Sequence, residues 1–265
     1  MNKQDIITSA ETYYNESPLN YVSAEIAMDP EYIGLKLFDP PIFAFGAADD
    51  EIYNEFKSPE IIGDQFRKPT DFLQGAKSVI TFFIPYTERI RISNAQDYDW
   101  PSREWLHGRI EGQTFVKALC IHICDFLTHS GYKSLIPSFD KDFKVGSETN
   151  RDTSNWSERH IAYACGLGTF GLSKGIITEK GTCGRLGSIV TELELPSSGR
   201  PYKDAYEYCL KCGTCFPHCP VRAITEEGKD DVRCGKFLDA VTKKHAPWYG
   251  CAKCQVGVPC ESAIP

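Results

Sequence analysis

The sequence predicts a mixed α/β (α+β) domain followed by a small cysteine-rich domain. Three observations support this division. Strand-like apolar runs alternate with helical patterns before residue 196. The segment Pro196–Pro201 (PSSGRP) has the composition of a linker, and eight of the twelve cysteines follow it. We therefore expect one domain over residues 1–198 and a second over residues 199–265.

The elements of the first domain are predicted from hydrophobic periodicity. Residues 5–27 predict a helix, and Ile42–Ala48 an extended segment. Ser78–Pro85 is a continuous apolar, β-branched and aromatic run, which is typical of a buried strand. Apolar residues recur at mostly three- and four-residue spacing over Trp105–His129, so a helix is expected there, ended by Gly131.

The second half of this domain predicts shorter elements. Residues 132–138 indicate a strand, and the polar stretch Asp140–Ser154 a loop. Glu158–Cys165 predicts one or two helical turns. Ile176–Ile177 and Gly187–Glu192 predict two further strands.

Composition and charge narrow the function classes. Of 265 residues, 42% are hydrophobic and 25% charged, which is ordinary for a globular protein. No apolar run reaches the roughly 18 residues of a membrane span, and the N-terminus lacks the apolar core of a secretory signal, so a cytoplasmic protein is expected. A net charge of −7 argues against binding nucleic acid through a basic surface. Twelve cysteines in such a chain indicate metal or redox chemistry rather than disulfides.

The strongest motif is Cys209-x2-Cys212-x2-Cys215-x3-Cys219-Pro220, the spacing of bacterial [4Fe–4S] ferredoxins. Three thiolates two residues apart surround one cluster, and the fourth points to a neighbouring cluster. Zinc is the alternative, but zinc sites typically use paired Cys-x2-Cys or Cys/His units. Four cysteines in one loop favour iron–sulfur.

A second cluster requires four more thiolates, and Cys234, Cys251, Cys254 and Cys260 supply them. The crossing-over of two-cluster ferredoxins assigns the cysteines to two groups: Cys209, Cys212, Cys215 and Cys260; and Cys219, Cys234, Cys251 and Cys254. The gap between Cys254 and Cys260 is longer than usual and leaves the division of Cys260 and Cys234 open. For the remaining cysteines we expect core packing: Cys120, Cys124, Cys165 and Cys183.

Several motifs together resemble epoxyqueuosine reductases over roughly residues 66–265. Their residues are Arg151-Asp152-Thr-Ser-Asn-Trp-Ser-Glu158-Arg159, Ala164-Cys-Gly166-Leu167-Gly168-Thr-Phe170-Gly171 and Arg185-Leu186-Gly187-x3-Thr191. The strand region Ala76-Lys-Ser-Val-Ile-x3-Ile-Pro85-Tyr86 and the order of the eight cysteines also match. Reductive dehalogenases share a cobalamin domain followed by two clusters, so the resemblance extends to that superfamily.

This resemblance implies a nitroreductase-like cobalamin-binding domain followed by a ferredoxin-like double [4Fe–4S] domain. Electrons would pass from an external low-potential donor of the ferredoxin or flavodoxin type, through the clusters, to cobalt. The corrin would then reduce an electrophilic small molecule or modified nucleoside, while the protein orients the reactants, excludes water and delivers the proton.

The resemblance also implies roles for individual residues. Asp152 matches the family's proton donor, with Trp156 and Phe170 as an apolar lid that would raise its pKa. The alternative is a helix N-cap, with Glu158 as a surface charge. The implied cofactor-binding residues are Gly166, Leu167, Gly168, Phe170, Gly171, Arg185, Leu186, Gly187 and Thr191. A plain turn at the glycines and a surface ion pair at Arg185 are the alternatives. His107, His160 and His218 are weaker candidates, for which a structural role is favoured.

Other readings of the function remain open. The chain ends five residues after Cys260, without the helical-repeat extension that many queuosine reductases direct toward tRNA. Together with the negative net charge, this makes tRNA the less favoured partner. One alternative is a non-catalytic electron-transfer or corrinoid-reducing protein. The other is an iron–sulfur reductase that binds flavin, as FMN, in place of cobalamin.

Overall fold

The computed structural model describes residues 1–146 and 153–265. The α-helices of these ranges are α1 Lys3–Glu16, α2 Ile52–Glu55, α3 Pro69–Phe72, α4 Glu88–Gln96, α5 Arg103–His129, α6 Glu158–Ala164, α7 Cys215–His218 and α8 Asp231–His245. The strands are β1 Ile42–Ala47, β2 Ser78–Pro85, β3 Ser134–Leu135, β4 Gly168–Phe170, β5 Ile176–Thr178, β6 Gly184–Thr191, β7 Ile224–Thr225 and β8 Gly228–Lys229. Short 3₁₀ helices cover Pro18–Asn20, Pro30–Tyr32, Pro137–Phe139 and Lys253–Gln255.

An antiparallel sheet in the order β1-β2-β6-β3 forms the centre of the described chain. The predicted strand Ser78–Pro85 is confirmed with the same limits and is buried along its whole length. Both of its edges are paired, since Ile80 lies opposite Phe45 of β1 and opposite Ile189 of β6.

Helices cover both faces of this sheet, as a mixed α/β fold requires. Successive side chains of a strand point to opposite faces, so Ile80 and Phe82 pack with α1 and α5, whereas Val79 and Phe83 pack with α6. The predicted helix over Trp105–His129 is confirmed as α5, which the Ser102 hydroxyl caps by accepting from the Trp105 amide at 3.1 Å. Gly131 follows α5 with a φ of 92°, a conformation that glycine adopts without strain.

Two predicted elements are wrong in extent, and proline accounts for both. The helix predicted over residues 5–27 ends at Glu16, because Pro18 starts a separate 3₁₀ turn. The strand predicted over residues 132–138 keeps only Ser134–Leu135, because Pro137 starts another 3₁₀ turn. The other predicted elements of this half agree with α6, β5 and β6, although β6 begins at Gly184 rather than Gly187.

The cysteine-rich segment consists of α7, the β7–β8 hairpin, α8 and the 3₁₀ turn at Lys253–Gln255. The preceding linker packs on β1: the Ser198 amide donates to the Phe45 carbonyl at 2.7 Å, and the Phe45 amide donates to the Ser198 hydroxyl at 3.0 Å. The division at residue 198 stays a prediction. In the parts of the chain that the structure describes, no helix has the length and apolar character needed to cross a membrane.

Candidate functional site

The first predicted group of cysteines lies around one cavity, which Cys209, Cys212, Cys215 and Cys260 all line. Burial, together with the thiols of Cys260, Cys209 and Cys212, raises the pKa of Cys215 to about 11. Burial and the thiols of Cys209 and Cys212 likewise raise the pKa of Cys260 to about 11. Cys260 therefore lies with the first group, as the ferredoxin pattern requires.

The second predicted group also converges. Burial is the main cause that raises the pKa of Cys254 to about 12, and the thiols of Cys234, Cys219 and Cys215 add to it. Burial and the thiols of Cys254 and Cys234 raise the pKa of Cys251 to about 12. Cys254 interacts with thiols of both groups, so the two groups adjoin each other.

The loops that carry these thiols adopt unusual backbone conformations. Lys211, Arg222 and Ala252 are not glycines, yet their φ angles are 52°, 51° and 50°. Such conformations cost about 1–3 kcal/mol each and persist only where the surroundings impose them. Left-handed residues beside right-handed ones turn successive amide N–H groups toward one point, which is the arrangement that binds anionic iron–sulfur clusters.

Hydrogen bonds to the sulfurs of both groups of cysteines are also consistent with iron–sulfur clusters. The Ala223 amide donates to the Cys219 sulfur at 3.2 Å. The Thr214 hydroxyl lies 3.4 Å from the Cys212 sulfur, and this hydrogen bond and the Thr214 amide lower the pKa of Cys212. Hydrogen bonds to the thiolate sulfurs of a cluster tune its reduction potential, so the donor set has the chemistry of a [4Fe–4S] site.

Over residues 1–146 and 153–265, no group of three or more His, Cys, Asp or Glu is placed to hold a single metal ion. A cubane cluster takes one thiolate at each of its four irons. Its thiolates therefore stand farther apart than the ligands of a mononuclear ion.

The exposure of the two groups differs. Cys212 is exposed, and Leu210 beside it is 63% exposed. In contrast, Cys219 is 7% exposed, and the other three cysteines of the second group are partly buried. The first group is therefore the more exposed of the two.

A large groove adjoins the second group. Its volume is about 670 Å³, within the range of roughly 300–1,000 Å³ that is typical of sites for small molecules and cofactors. Cys234 of the second group lines it, together with Thr153, Phe170, Tyr206 and Lys229. The groove therefore brings β4 of the first domain next to the cysteine-rich segment.

A neutral histidine lies in the wall of this groove. His160 packs between the rings of Phe56 and Phe170, at centroid distances of 5.2 and 4.8 Å. Its Nδ1 lies 2.8 Å from the Ser157 hydroxyl. Burial, with a smaller contribution from Arg159, lowers the pKa of His160 to about 3, so its imidazole is uncharged at neutral pH.

Comparisons with known proteins agree with this architecture. Residues 203–225 match the family model "4Fe-4S binding domain", which supports an iron–sulfur cluster in this segment. Epoxyqueuosine reductase of Vibrio cholerae is 26% identical over 207 residues, which are 72% of this chain and 52% of that protein. An epoxyqueuosine reductase bound to an epoxyqueuosine-modified tRNA-Tyr stem loop superposes with a TM-score of 0.58 over 98% of this chain, at 18% identity.

The chain has the epoxyqueuosine reductase fold.

The resemblance predicted from the motifs is thereby confirmed. The Bacillus subtilis epoxyqueuosine reductase was solved with a catalytic loop swung out of its active site, and it matches this chain with a TM-score of 0.56 at 18% identity. The match covers 98% of this chain and 65% of that protein. A reductive dehalogenase structure associated with B12-dependent dehalogenation has a TM-score of 0.50 at 13% identity, with 90% of this chain covering 34% of it. The chain spans about half the length of the curated epoxyqueuosine reductase that it matches.

The residues predicted to bind a cofactor lie in different environments in the structure. Phe170 lines the groove, and Gly171 lines the cysteine cavity. Gly166 and Gly168 lie against the protein itself: a Cβ would stand 1.8 Å from the Gly199 carbonyl oxygen at Gly166, and 2.1 Å from the Ile177 carbonyl oxygen at Gly168. Internal packing, as in the plain-turn alternative, is sufficient to explain these two glycines.

The other predicted cofactor residues lie in the core or its margin. Leu167 is 8% exposed, and Leu186 packs on the core at its edge. A Cβ at Gly187 would stand 2.5 Å from the Phe82 ring. Thr191 is fully buried and accepts from the Ser134 hydroxyl at 2.8 Å.

Arg185 is partly buried. It donates to the Gln113 side chain instead of forming the surface ion pair considered above.

Asp152 lies outside the described residues, while its neighbour Thr153 lines the groove. The N-cap of α6 is Ser157, so the alternative of Asp152 as the cap of this helix is wrong. Trp156 is a core residue that donates to the Ser188 hydroxyl at 3.0 Å.

Glu158 is not a simple surface charge, because it accepts from the Ser188 hydroxyl at 2.6 Å and burial raises its pKa to about 7.

The remaining candidates have structural surroundings. His107 is fully buried; its Nε2 accepts from the Met28 amide at 3.1 Å, and its Nδ1 lies 3.0 Å from Glu111. The His218 ring contacts Tyr98 edge-on. The four other cysteines behave largely as expected: Cys120, Cys165 and Cys183 are buried, and Cys124 is partly buried.

Two lysines of the site were not predicted. Lys229 lines the groove, and Lys253 is 2% exposed beneath the second group of cysteines. The sequence feature that could have pointed to Lys253 is its position inside Cys251-x2-Cys254. The same position in Cys209-x2-Cys212, however, holds Lys211, which is exposed. Sequence position alone does not distinguish them.

Proposed function

We propose that this chain is an iron–sulfur oxidoreductase in which two [4Fe–4S] clusters pass electrons to cobalamin bound in the groove, where an electrophilic substrate is reduced. The observation that carries this proposal is the arrangement of the cysteines. One group is the more exposed, the two groups adjoin, and the second group opens on a groove of about 670 Å³ through Cys234.

The different exposure of the two groups of thiols supports a direction for electron transfer. The cluster of Cys209, Cys212, Cys215 and Cys260 would accept electrons from an external low-potential donor, since Cys212 is exposed. The cluster of Cys219, Cys234, Cys251 and Cys254 would receive them next. Cys234 lies on the groove wall, so this cluster is the one positioned to reduce a bound cofactor.

The groove fits a large, partly apolar ligand with polar side groups. Phe170, Tyr163 and Tyr206 offer aromatic surface, while His160 and Lys229 offer hydrogen-bonding groups. When bound, cobalamin supplies a strongly reducing metal centre. The residues of this chain would hold the corrin, exclude water and deliver a proton, for which Asp152 is the candidate because it matches the family's proton donor in the sequence motif.

The names of the relatives support a proposal for the substrate class. Epoxyqueuosine reductases are named for an epoxide-bearing nucleoside, and one was solved with a modified tRNA stem loop. We propose an electrophilic small molecule or modified nucleoside for this chain. A net charge of −7 gives it little attraction for the phosphates of a whole tRNA.

Anaerobic reconstitution with iron, sulfide and hydroxocobalamin tests the proposal. We expect about eight irons and one corrin per chain, with the visible spectrum of the base-off form. Retention of FMN instead of the corrin would overturn the cobalamin proposal in favour of a flavin reductase. Zinc in place of iron would overturn the cluster proposal itself.

The Asp152→Asn variant separates catalysis from electron transfer. With reduced viologen and the epoxyqueuosine nucleoside as probe, the variant should bind both clusters and the corrin yet lose turnover. Unchanged turnover would remove Asp152 from the mechanism. A wild-type protein that binds and reduces the corrin but turns over no epoxide would favour the corrinoid-reducing alternative.

A further inference from the structure

A lysine stands between the second group of cysteines and the groove. Lys229 forms β8 with Gly228, and its backbone is fixed by pairing with Ile224 of β7. Ile224 is 3% exposed and packs in the cluster of apolar residues around Cys219. The hairpin thus anchors Lys229 to the second group of cysteines, while its side chain lines the groove beside Cys234.

The charge of Lys229 acts on these cysteines. The Lys229 ammonium lies within electrostatic reach of the thiols of Cys254 and Cys234, of the Asp231 carboxylate and of the Arg159 guanidinium. Asp231 forms its ion pair with Lys174. In the described part of the chain no carboxylate lies within ion-pair distance of the Lys229 ammonium. Its charge is therefore directed at the sulfurs and the groove.

The first group has a different electrostatic environment. The carboxylate of Glu261 acts on Cys260, and Arg91 pairs with Glu261 at 2.6 Å. Lys211, within the first Cys-x2-Cys loop, is exposed, and water screens its charge. Lys253 acts on Cys251, but its ammonium is already bound to the carbonyl oxygens of Asn94 and Asp97. Lys229, unlike Lys253, also lines the groove beside Cys234.

We propose that Lys229 raises the reduction potential of the cluster held by Cys219, Cys234, Cys251 and Cys254, and so directs electrons toward the groove. Reduction adds one negative charge to a cluster, and a nearby ammonium in a poorly solvated site stabilises that charge. The external donor loses one electron to the outer cluster, which then passes it to the inner one. The outer cluster is reoxidised, the inner cluster is reduced, and no proton is needed.

This inference rests on the two clusters of the proposed function but not on cobalamin. In this role Lys229 is a positioning residue, since its charge acts on the inner cluster and not on the reacting atoms. Its test is therefore the potential of that cluster, which a purely structural role would not change.

The experiment is a redox titration of anaerobically reconstituted protein, followed by electron paramagnetic resonance. Iron analysis first establishes two clusters in each variant. The Cys234→Ser variant replaces a thiolate of the inner cluster. The reduction step that changes in this variant is therefore assigned to the inner cluster. Three further variants are compared with the wild type: Lys229→Met removes the charge, Lys229→Arg retains it, and Lys236→Met removes an exposed charge two residues from Cys234 on α8.

We expect Lys229→Met to lower the midpoint potential of the inner cluster alone. At a fixed potential the ratio of reduced to oxidised inner cluster should fall about tenfold, or about 59 mV for a one-electron couple. Lys229→Arg and Lys236→Met should stay near the wild type. An unshifted inner cluster in Lys229→Met, or an equal shift in Lys236→Met, would overturn the inference while leaving the clusters in place. Wild-type protein with a single cluster would overturn the proposed function and this inference together.

Discussion

The ammonium of Lys253 lies 2.7 Å from the main-chain carbonyl oxygen of Asn94, across 159 residues of sequence. It also donates to the carbonyl of Asp97, and the Asn94 side chain donates back to the Cys251 carbonyl at 3.0 Å. Lys253 thereby binds the end of α4 to the second Cys-x2-Cys loop. Both Lys253 and Asn94 are buried, so water does not replace these bonds.

Lys253→Met should loosen this attachment. The substitution leaves two carbonyl oxygens without their lysine donor, which costs about 1–3 kcal/mol for each buried group that stays unpaired. We expect a lower temperature for loss of the cluster's visible absorbance on heating. Lys211→Met is the matched control, because Lys211 holds the same place in the first loop and is exposed. Equal losses in the two variants would contradict the structural role assigned to Lys253.

Iron content should separate the eight cysteines proposed as cluster ligands from the four proposed to pack in the core. Cys254→Ala removes a thiolate of the inner cluster and should lower the iron from about eight to about four or fewer per chain. Cys183 is fully buried and donates to the Gln255 carbonyl at 2.8 Å, so Cys183→Ala should retain both clusters. Iron and sulfide analysis of anaerobic protein measures both effects. Loss of a cluster in Cys183→Ala would place that thiol among the ligands.

The sequence predicts the parts of the molecule that depend on local pattern. Ser78–Pro85 is a strand with the predicted limits because its apolar run continues over both faces. The cysteine spacing likewise predicts which thiols meet, since the ferredoxin pattern is a property of one loop and its partner. Where a single proline interrupts a periodic stretch, as Pro18 does, periodicity alone overestimates the helix.

The parts that could not be predicted depend on contacts between distant segments. Lys253 and Lys211 are alike in sequence context, and only the position of α4 makes one of them buried. From the sequence, Glu158 is an ordinary charged residue in the first turn of a helix. Only the fold brings it within hydrogen-bonding distance of Ser188, 30 residues away. The sequence suggests that Gly166 lets the backbone approach a ligand, whereas in the structure the Gly199 carbonyl oxygen occupies the space beside its Cα.

Gly166→Ala tests whether that glycine serves internal packing. The new methyl group would stand 1.8 Å from the Gly199 carbonyl oxygen, at a φ of 93°, so we expect a loss of about 2–5 kcal/mol in unfolding free energy. Gly199→Ala is the control, with a φ of 74° and open space around its Cβ, and should cost only about 1–2 kcal/mol. Denaturant titration measures both. Similar losses at the two positions would exclude the clash as the cause.

Glu158 should make the stability of the protein depend on pH. Burial raises its pKa from 4.5 to about 7 in the folded protein, so between these values the folded state holds a proton that the unfolded chain has released. Stability is highest below the window and falls as pH rises through it, by about 3 kcal/mol at most. Glu158→Gln cannot ionise and should lose this fall, gaining stability over the wild type at pH 8 but not at pH 4. Glu179→Gln, at an exposed glutamate, should follow the wild-type profile. Denaturant titrations across this range give the comparison, and parallel profiles for Glu158→Gln and the wild type would show that Glu158 is ionised throughout.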